Sequence, residues 1–83
     1  MYEIGFDKKA LRFLKKLNSK DKIRIWNKLQ ECKKDPFRYL KHLEKVNGYK
    51  LRVGNYRIII DVKEKIKILL VLKIGHRKNI YER

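Results

Sequence analysis

The sequence predicts a single α+β domain covering residues 1–83, with a helical first half and a stranded second half. Apolar residues recur at helical spacing through residues 8–34 and alternate as in strands through most of residues 49–74. A chain of 83 residues buries one small core, which excludes a second lobe or a deep cofactor cleft. We therefore expect a short N-terminal strand, a helix hairpin, and a three-stranded antiparallel meander that completes a small sheet with the helices on one face.

A strand and a helix open the predicted fold. Residues 2–6 alternate between polar and apolar, and Asp7 then occupies the position of a helix N-cap. The apolar residues that follow share one face of a helix that extends to about Asn18: Ala10, Leu11, Leu14 and Leu17.

A second helix is predicted from Ser19, a plausible N-cap, to the Asp35-Pro36 pair, where proline prevents continuation. Its apolar face ends in Leu29 and Cys32 and includes either Ile23 with Trp26 or Ile25. We predict that Trp26 and Cys32 are both core residues. The connector at residues 37–47 is apolar enough to pack on the domain, with Phe37, Tyr39, Leu40, Leu43 and Val46.

A hairpin is predicted around Gly54-Asn55, because these residues separate two alternating runs and favour a two-residue turn. Such a turn fixes the register of the two strands. It places Val53 opposite Tyr56, Arg52 opposite Arg57 and Leu51 opposite Ile58.

The last strand is predicted to follow a three-residue turn, Lys63-Glu64-Lys65. Continuous alternation would then turn one set of residues to the core: Ile66, Ile68, Leu70, Leu72 and Ile74. The same register would set Asp61 beside Lys67. It would also expose an outer apolar patch on which a partner protein docks, formed by Ile59, Leu69 and Val71.

Charge points to a polyanionic partner. The chain has 24 Lys or Arg against 9 Asp or Glu, a formal net charge of +15. No apolar run is long enough to cross a membrane, and no signal-peptide pattern is present. A single cysteine and the lack of a Cys/His cluster with zinc spacing predict a cytoplasmic protein without disulfide, metal or cofactor.

One group of residues has the side chains of a candidate catalytic site. Arg52 and Arg57 would face each other across the hairpin, an arrangement that destabilises unless an anion binds between them. Lys50 adds a cation on the same face, and the C-terminal segment contributes His76, Arg77 and Tyr81. Proton acceptors and donors beside fixed positive charge are what phosphodiester cleavage requires.

These residues resemble the RelE/ParE superfamily of toxin–antitoxin toxins, in its RelE-like branch. The resemblance rests on an ordered set that spans the chain: Gly48-Tyr49-Lys50-Leu51-Arg52-Val53-Gly54-Asn55-Tyr56-Arg57-Ile58-Ile59-Ile60, then Ile74-Gly75-His76-Arg77, then Tyr81. It implies a metal-independent endoribonuclease that binds the ribosome and cuts messenger RNA through attack by the ribose 2′-hydroxyl. It also implies a cognate antitoxin, which the charge of +15 predicts to be acidic.

The resemblance assigns catalytic positions to Lys50, Arg52, Arg57, Arg77 and Tyr81, with His76 at a position that varies among relatives. One departure matters: the best-known branch has lysine where this chain has Arg52, and arginine does not give up its proton in proteins. The proton acceptor would therefore be Lys50, His76 or Tyr81. We expect Arg57 and Arg77 to clamp the scissile phosphate.

Two other functions stay open on the sequence. One is a noncatalytic ParE-like toxin that poisons DNA gyrase. The other is a basic nucleic-acid-binding module without toxicity.

Overall fold

A computed structural model describes residues 1–43 and 48–77. The α+β class is confirmed: a five-stranded sheet in the order β1-β5-β4-β3-β2 accompanies the helices. Strand β1 runs parallel to β5, and the other neighbouring strands are antiparallel. The elements are β1 (Glu3–Phe6), α1 (Lys8–Lys16), α2 (Ser19–Lys34), α3 (Pro36–Tyr39), β2 (Lys41–His42), β3 (Tyr49–Val53), β4 (Tyr56–Lys63) and β5 (Ile68–His76).

Side-chain caps begin the two long helices. The predicted cap at Asp7 is confirmed, since its carboxylate accepts from the Lys9 N–H at 3.2 Å. For α2 the cap is Asn18 and not Ser19: the Asn18 side-chain oxygen accepts from the Asp21 N–H at 2.9 Å. Asn18 takes this role because α1 ends two residues earlier than predicted, at Lys16, which leaves Asn18 extended.

The connector after α2 is structured. Pro36 ends α2 and begins the short helix α3, a position at which its missing N–H is not needed. Leu40 and Leu43 are buried, which confirms that the connector packs on the domain, whereas Phe37 is exposed. Val46 lies outside the described residues.

The β3–β4 hairpin has the predicted register, with Val53 opposite Tyr56, Arg52 opposite Arg57 and Leu51 opposite Ile58. Gly54 has a φ of +58°, the left-handed conformation that a two-residue hairpin turn needs at its first position. A side chain there would also meet Arg24, whose Nη1 lies 2.8 Å from an ideal Cβ.

The predicted register of β5 is wrong. The turn spans residues 64–67, with Lys67 at a φ of +56°, so that Lys63 pairs with Ile68 and Asp61 with Leu70. Asp61 forms its ion pair with Lys63, at 3.1 Å, rather than with Lys67. Leu69 and Val71 are fully buried, while Ile66 is 62% exposed. The proposed outer patch of Ile59, Leu69 and Val71 therefore does not exist.

A bulge at Leu72 explains why simple alternation failed. Ile60 pairs with Val71, but the next residue, Ile59, pairs with Lys73, which leaves Leu72 as the extra residue. Leu69 and Val71 before the bulge, and Ile74 after it, consequently all face the core.

The core lies between the helices and one face of the sheet. Most of its fully buried side chains come from α2 and the three longest strands, with Ala10 of α1 and Leu43 added to them: Ile25, Leu29, Cys32, Leu51, Ile58, Ile60, Leu69 and Val71. Burial of Cys32 was predicted correctly, but Trp26 is 47% exposed and stacks on Phe6, with ring centroids 6.5 Å apart. The reason is that Ile25, rather than Ile23 and Trp26, continues the buried stripe of α2.

Cys32 predicts how stability depends on pH. Burial raises the pKa of the Cys32 thiol from 9.0 to about 11. The neutral thiol is therefore favoured in the fold, and its contribution is complete below pH 9 and lost as the pH rises toward 11. Two pKa units correspond to about 3 kcal/mol.

We expect the free energy of unfolding to fall more steeply between pH 9 and 11 in the native chain than in Cys32→Ala. Urea titrations at several pH values measure the free energy of unfolding of both proteins. The other titrating groups are the same in both, so their effect cancels in the difference between the two proteins. Equal slopes in the two proteins would contradict the assignment.

Candidate functional site

The hairpin register gathers cations on the sheet face away from the core. Leu51, Val53 and Ile58 are buried against the helices, so the alternate residues Arg52 and Arg57 face the other way, directly opposite each other. The short strand β2 adds a second opposed pair of like charges, Lys41 and Lys50. Such pairs destabilise a sheet in water and become favourable when an anion lies between them.

These cations line a cavity of about 310 Å³, which we call the cationic cavity. Within the described part of the chain, six of its eight lining residues are lysine or arginine, and none is acidic: Lys28, Arg38, Tyr39, Lys41, Lys50, Leu51, Arg52 and Arg57. A cleft lined by one sign of charge focuses the electrostatic field and attracts ions of the opposite sign. The cavity is therefore suited to a phosphate or another compact anion.

Four lining residues were missed by the sequence analysis: Lys28, Arg38, Tyr39 and Lys41. Two of them lie over the Tyr39 ring, with Lys28 Nζ 4.7 Å and the Arg38 guanidinium carbon 5.9 Å from its centroid. The Asp35-Pro36 pair signals where α2 ends, but no sequence signal places these four residues beside the sheet.

His76 lies on the other side of the sheet. It pairs with Tyr56, and the two rings are 4.9 Å apart, with Phe13 of α1 a further ring neighbour at 6.3 Å. The Tyr56 hydroxyl donates to Asp21 at 2.8 Å, and this hydrogen bond raises the pKa of Tyr56. The structure thus separates His76 from Lys50, Arg52 and Arg57.

Arg77 and Tyr81 complete the predicted set. The Arg77 N–H donates to the Asn55 carbonyl at 2.9 Å, which fixes the chain beside the hairpin turn. Gly75 pairs with Arg57 and has no side chain to cover it. Tyr81 lies outside the described residues.

The described residues contain no group of three or more His, Cys, Asp or Glu side chains that could hold a metal ion. Nor do residues 1–43 and 48–77 contain a helix long and apolar enough to cross a membrane. The described residues that line the cationic cavity offer the fixed charge of three arginines, three lysine amines and the phenol of Tyr39.

The protein is a small α+β domain whose cationic cavity is lined by residues of α2, α3 and the strands β2, β3 and β4. The sequence matches the family model of the ParE toxin of type II toxin–antitoxin systems over residues 4–81. The chain belongs to this family, and is a toxin of the RelE/ParE superfamily. No curated protein matches the sequence.

Solved structures of RelE toxins share the fold. A chain of the Mycobacterium tuberculosis toxin–antitoxin complex RelBE2 superposes with a TM-score of 0.83 at 23% identity, covering 92% of this chain and 98% of that one. A chain of the intact Escherichia coli RelBE complex gives 0.80 at 25% identity, covering 92% and 96%. The archaeal RelE-RelB complex from Pyrococcus horikoshii gives 0.80 at 23% identity, covering 95% and 98%.

Proposed function

We propose that this toxin is a ribosome-dependent endonuclease that cuts messenger RNA in the cytoplasm. The observation that supports this most strongly is the cationic cavity, in which Arg52 and Arg57 oppose each other beside Lys50. Two opposed arginines can bind a phosphate, and the same fixed charge would stabilise the phosphorane transition state of its cleavage.

The proposed reaction needs no metal. The ribose 2′-oxygen loses its proton and attacks the adjacent phosphorus, forming a new P–O bond. The bond from phosphorus to the 5′-oxygen breaks, and that oxygen takes up a proton from the surrounding water. The products are a 2′,3′-cyclic phosphate and a 5′-hydroxyl.

The placement of the residues favours Lys50 as proton acceptor. Lys50 lines the cationic cavity with both arginines, whereas His76 lies on the helix side of the sheet. Arg52 contributes charge only, since a guanidinium keeps its proton. Arg57 and Arg77 are proposed to hold the phosphate oxygens, and Tyr81 to orient the phosphate or stack on a base.

Two macromolecular partners belong to this proposal. The cationic cavity is a shallow site on an 83-residue domain, so the ribosome would supply the opposite wall and position the message. An acidic antitoxin is the proposed inhibitor, because the solved relatives come from toxin–antitoxin complexes and this chain carries a net charge of +15. We propose that it covers Arg57 and Arg77.

Cell-free translation with primer extension on the message tests the proposal. The native toxin is expected to produce discrete cleavage sites, and the double variant Arg57→Ala, Arg77→Ala to produce none. A Lys33→Ala, Lys34→Ala variant removes two cations outside the cavity and should cleave normally. Absence of cleavage by the native toxin, or equal cleavage by the arginine variant, would overturn the proposal.

Inhibition of DNA gyrase is a second candidate, because the matching family model is that of ParE toxins. A supercoiling assay with purified gyrase separates the two functions. Gyrase inhibition that persists in the double arginine variant, together with an intact message, would favour this alternative.

A further inference from the structure

A second cavity, of about 400 Å³, lies between α2 and the β3–β4 turn, and we call it the turn cavity. One stripe of α2 forms its first wall, with residues spaced three and four apart: Arg24, Asn27, Lys28 and Glu31. Arg52, Val53 and Gly54 form the opposite wall. The proposed function does not use the residues of this stripe other than Lys28.

The two cavities adjoin, because Lys28 and Arg52 line both of them. They meet at the edge of β3: β2 pairs only with Tyr49 and Lys50, which leaves β3 as the sheet edge beyond Lys50 among the described residues. A chain-like ligand can therefore pass from one cavity to the other across this edge.

Backbone geometry adds a donor at the junction. In a hairpin with a two-residue turn, the pair next to the turn, Val53 and Tyr56, exchanges both hydrogen bonds. The next pair, Arg52 and Arg57, is then a non-hydrogen-bonded pair, so the Arg52 N–H points outward at the sheet edge. Arg52 thus offers its guanidinium to the cationic cavity and its backbone N–H to the edge that joins the two.

The hydrogen-bond donors that line the turn cavity suit it to binding an anion. Arg24 packs across Gly54, where a Cβ would lie 2.8 Å from Nη1, and Asn27 adds an amide. Its one carboxylate among the described residues, Glu31, is paired with Lys28 at 3.2 Å. Arginine and amide donors facing a backbone N–H are typical of sites that bind a phosphodiester backbone.

We propose that the turn cavity is a second phosphate subsite, which holds the RNA backbone one or more nucleotides away from the phosphate in the cationic cavity. The RNA then crosses the open edge of β3, with Lys28 and Arg52 contacting it on both sides. This inference rests on the proposed function for the class of ligand and adds the path and the subsite. The alternative occupant, an acidic protein segment, is an outcome of the test below.

Fluorescence anisotropy with 2′-O-methyl RNA, which cannot undergo 2′-hydroxyl attack, tests the subsite. A hexanucleotide has several phosphates with which to occupy two adjoining subsites, whereas a dinucleotide has one internucleotide phosphate and can occupy only one of them. Arg24→Gln and Asn27→Asp are expected to weaken hexanucleotide binding about tenfold and leave dinucleotide binding unchanged. Loss of one phosphate contact in Arg24→Gln should also reduce the slope of log K against log salt by about 0.7. Glu31→Gln should strengthen hexanucleotide binding.

Lys34→Gln is the matched control, since like Arg24→Gln and Asn27→Asp it lowers the net charge by one, but from an exposed position on the same helix outside the turn cavity. Equal effects of Lys34→Gln and Asn27→Asp would overturn the subsite in favour of diffuse charge. Tighter binding of polyglutamate than of RNA, with the same dependence on Arg24, would overturn it in favour of a protein segment. Thermal unfolding checks that Arg24→Gln is folded, and Asn27→Asp keeps the test valid if it is not.

The outcomes separate this inference from the proposed function. If the message is not cleaved on the ribosome but hexanucleotide binding depends on Arg24, the subsite stands and the nuclease proposal fails. If cleavage is found but Arg24→Gln and Asn27→Asp bind like Lys34→Gln, the nuclease proposal stands and the subsite fails.

Discussion

Replacing Arg57 with alanine is expected to reduce messenger RNA cleavage at least 100-fold while the protein stays folded. Arg57 lines the cationic cavity and lies directly opposite Arg52, so its loss removes half of the charge pair that would stabilise the transition state. Removal of a single preorganised donor to a developing negative charge typically lowers the rate 100- to 1,000-fold, or by about 3 to 4 kcal/mol.

Single-turnover cleavage on programmed ribosomes measures this effect. Arg57→Lys should recover part of the rate, because lysine restores the positive charge but not the bidentate hydrogen bonding of arginine to a phosphate. Lys73→Ala is the matched control: Lys73 pairs with Ile59 on the same strand ladder and does not line the cavity. A similar loss in Lys73→Ala, or a normal rate in Arg57→Ala, would contradict the role given to Arg57.

Replacing Leu69 with alanine is expected to lower the free energy of unfolding by about 3 kcal/mol. Leu69 is fully buried between the sheet and the helices, and its loss would leave a cavity in a domain that has only one small core. Since small domains are stabilised by only about 5 to 15 kcal/mol in total, the midpoint of thermal unfolding should fall by well over 10 °C.

Leu72→Ala supplies the comparison, because Leu72 is the bulge residue and is 38% exposed. Its truncation should lower the free energy of unfolding by less than about 1.5 kcal/mol. Urea titrations of both variants give the two values. Continuous alternation along β5 would reverse the order, so a larger loss in Leu72→Ala would refute the register described above.

Much of the fold was predictable because helix boundaries and the hairpin turn depend on single residues and their neighbours in sequence. Asp7 and Pro36 mark helix boundaries through a hydrogen bond and a missing N–H, and Gly54 sets the hairpin through a left-handed φ. Because a two-residue turn leaves one register available, the opposition of Arg52 and Arg57 followed directly. The central part of the candidate site was therefore predictable from residues 49–60.

The rest depended on packing between distant segments. Strand β5 carries apolar residues on both of its faces, since it lies inside the sheet between β1 and β4. A sequence that is apolar on both faces does not reveal a bulge. Lys28, Arg38 and Tyr39 reach the cavity only through the tertiary placement of α2 and α3. Likewise, two apolar stripes overlap on α2, and the prediction that Trp26 is buried was wrong because Ile25 continues the stripe that faces the core.

The bulge residue Leu72 divides β5 into two parts whose side-chain patterns can change separately. Its first part is held by β1 on one side and β4 on the other, with Leu69 and Val71 anchored in the core. Its last part, from Lys73 to His76, borders the arginines and the hairpin turn. A one-residue change in length at Leu72 would exchange which of these side chains lie on the same face of the sheet as Arg57, and would leave the anchored part in place. The bulge is thus a point at which the side chains beside Arg57 could be exchanged without rebuilding the core.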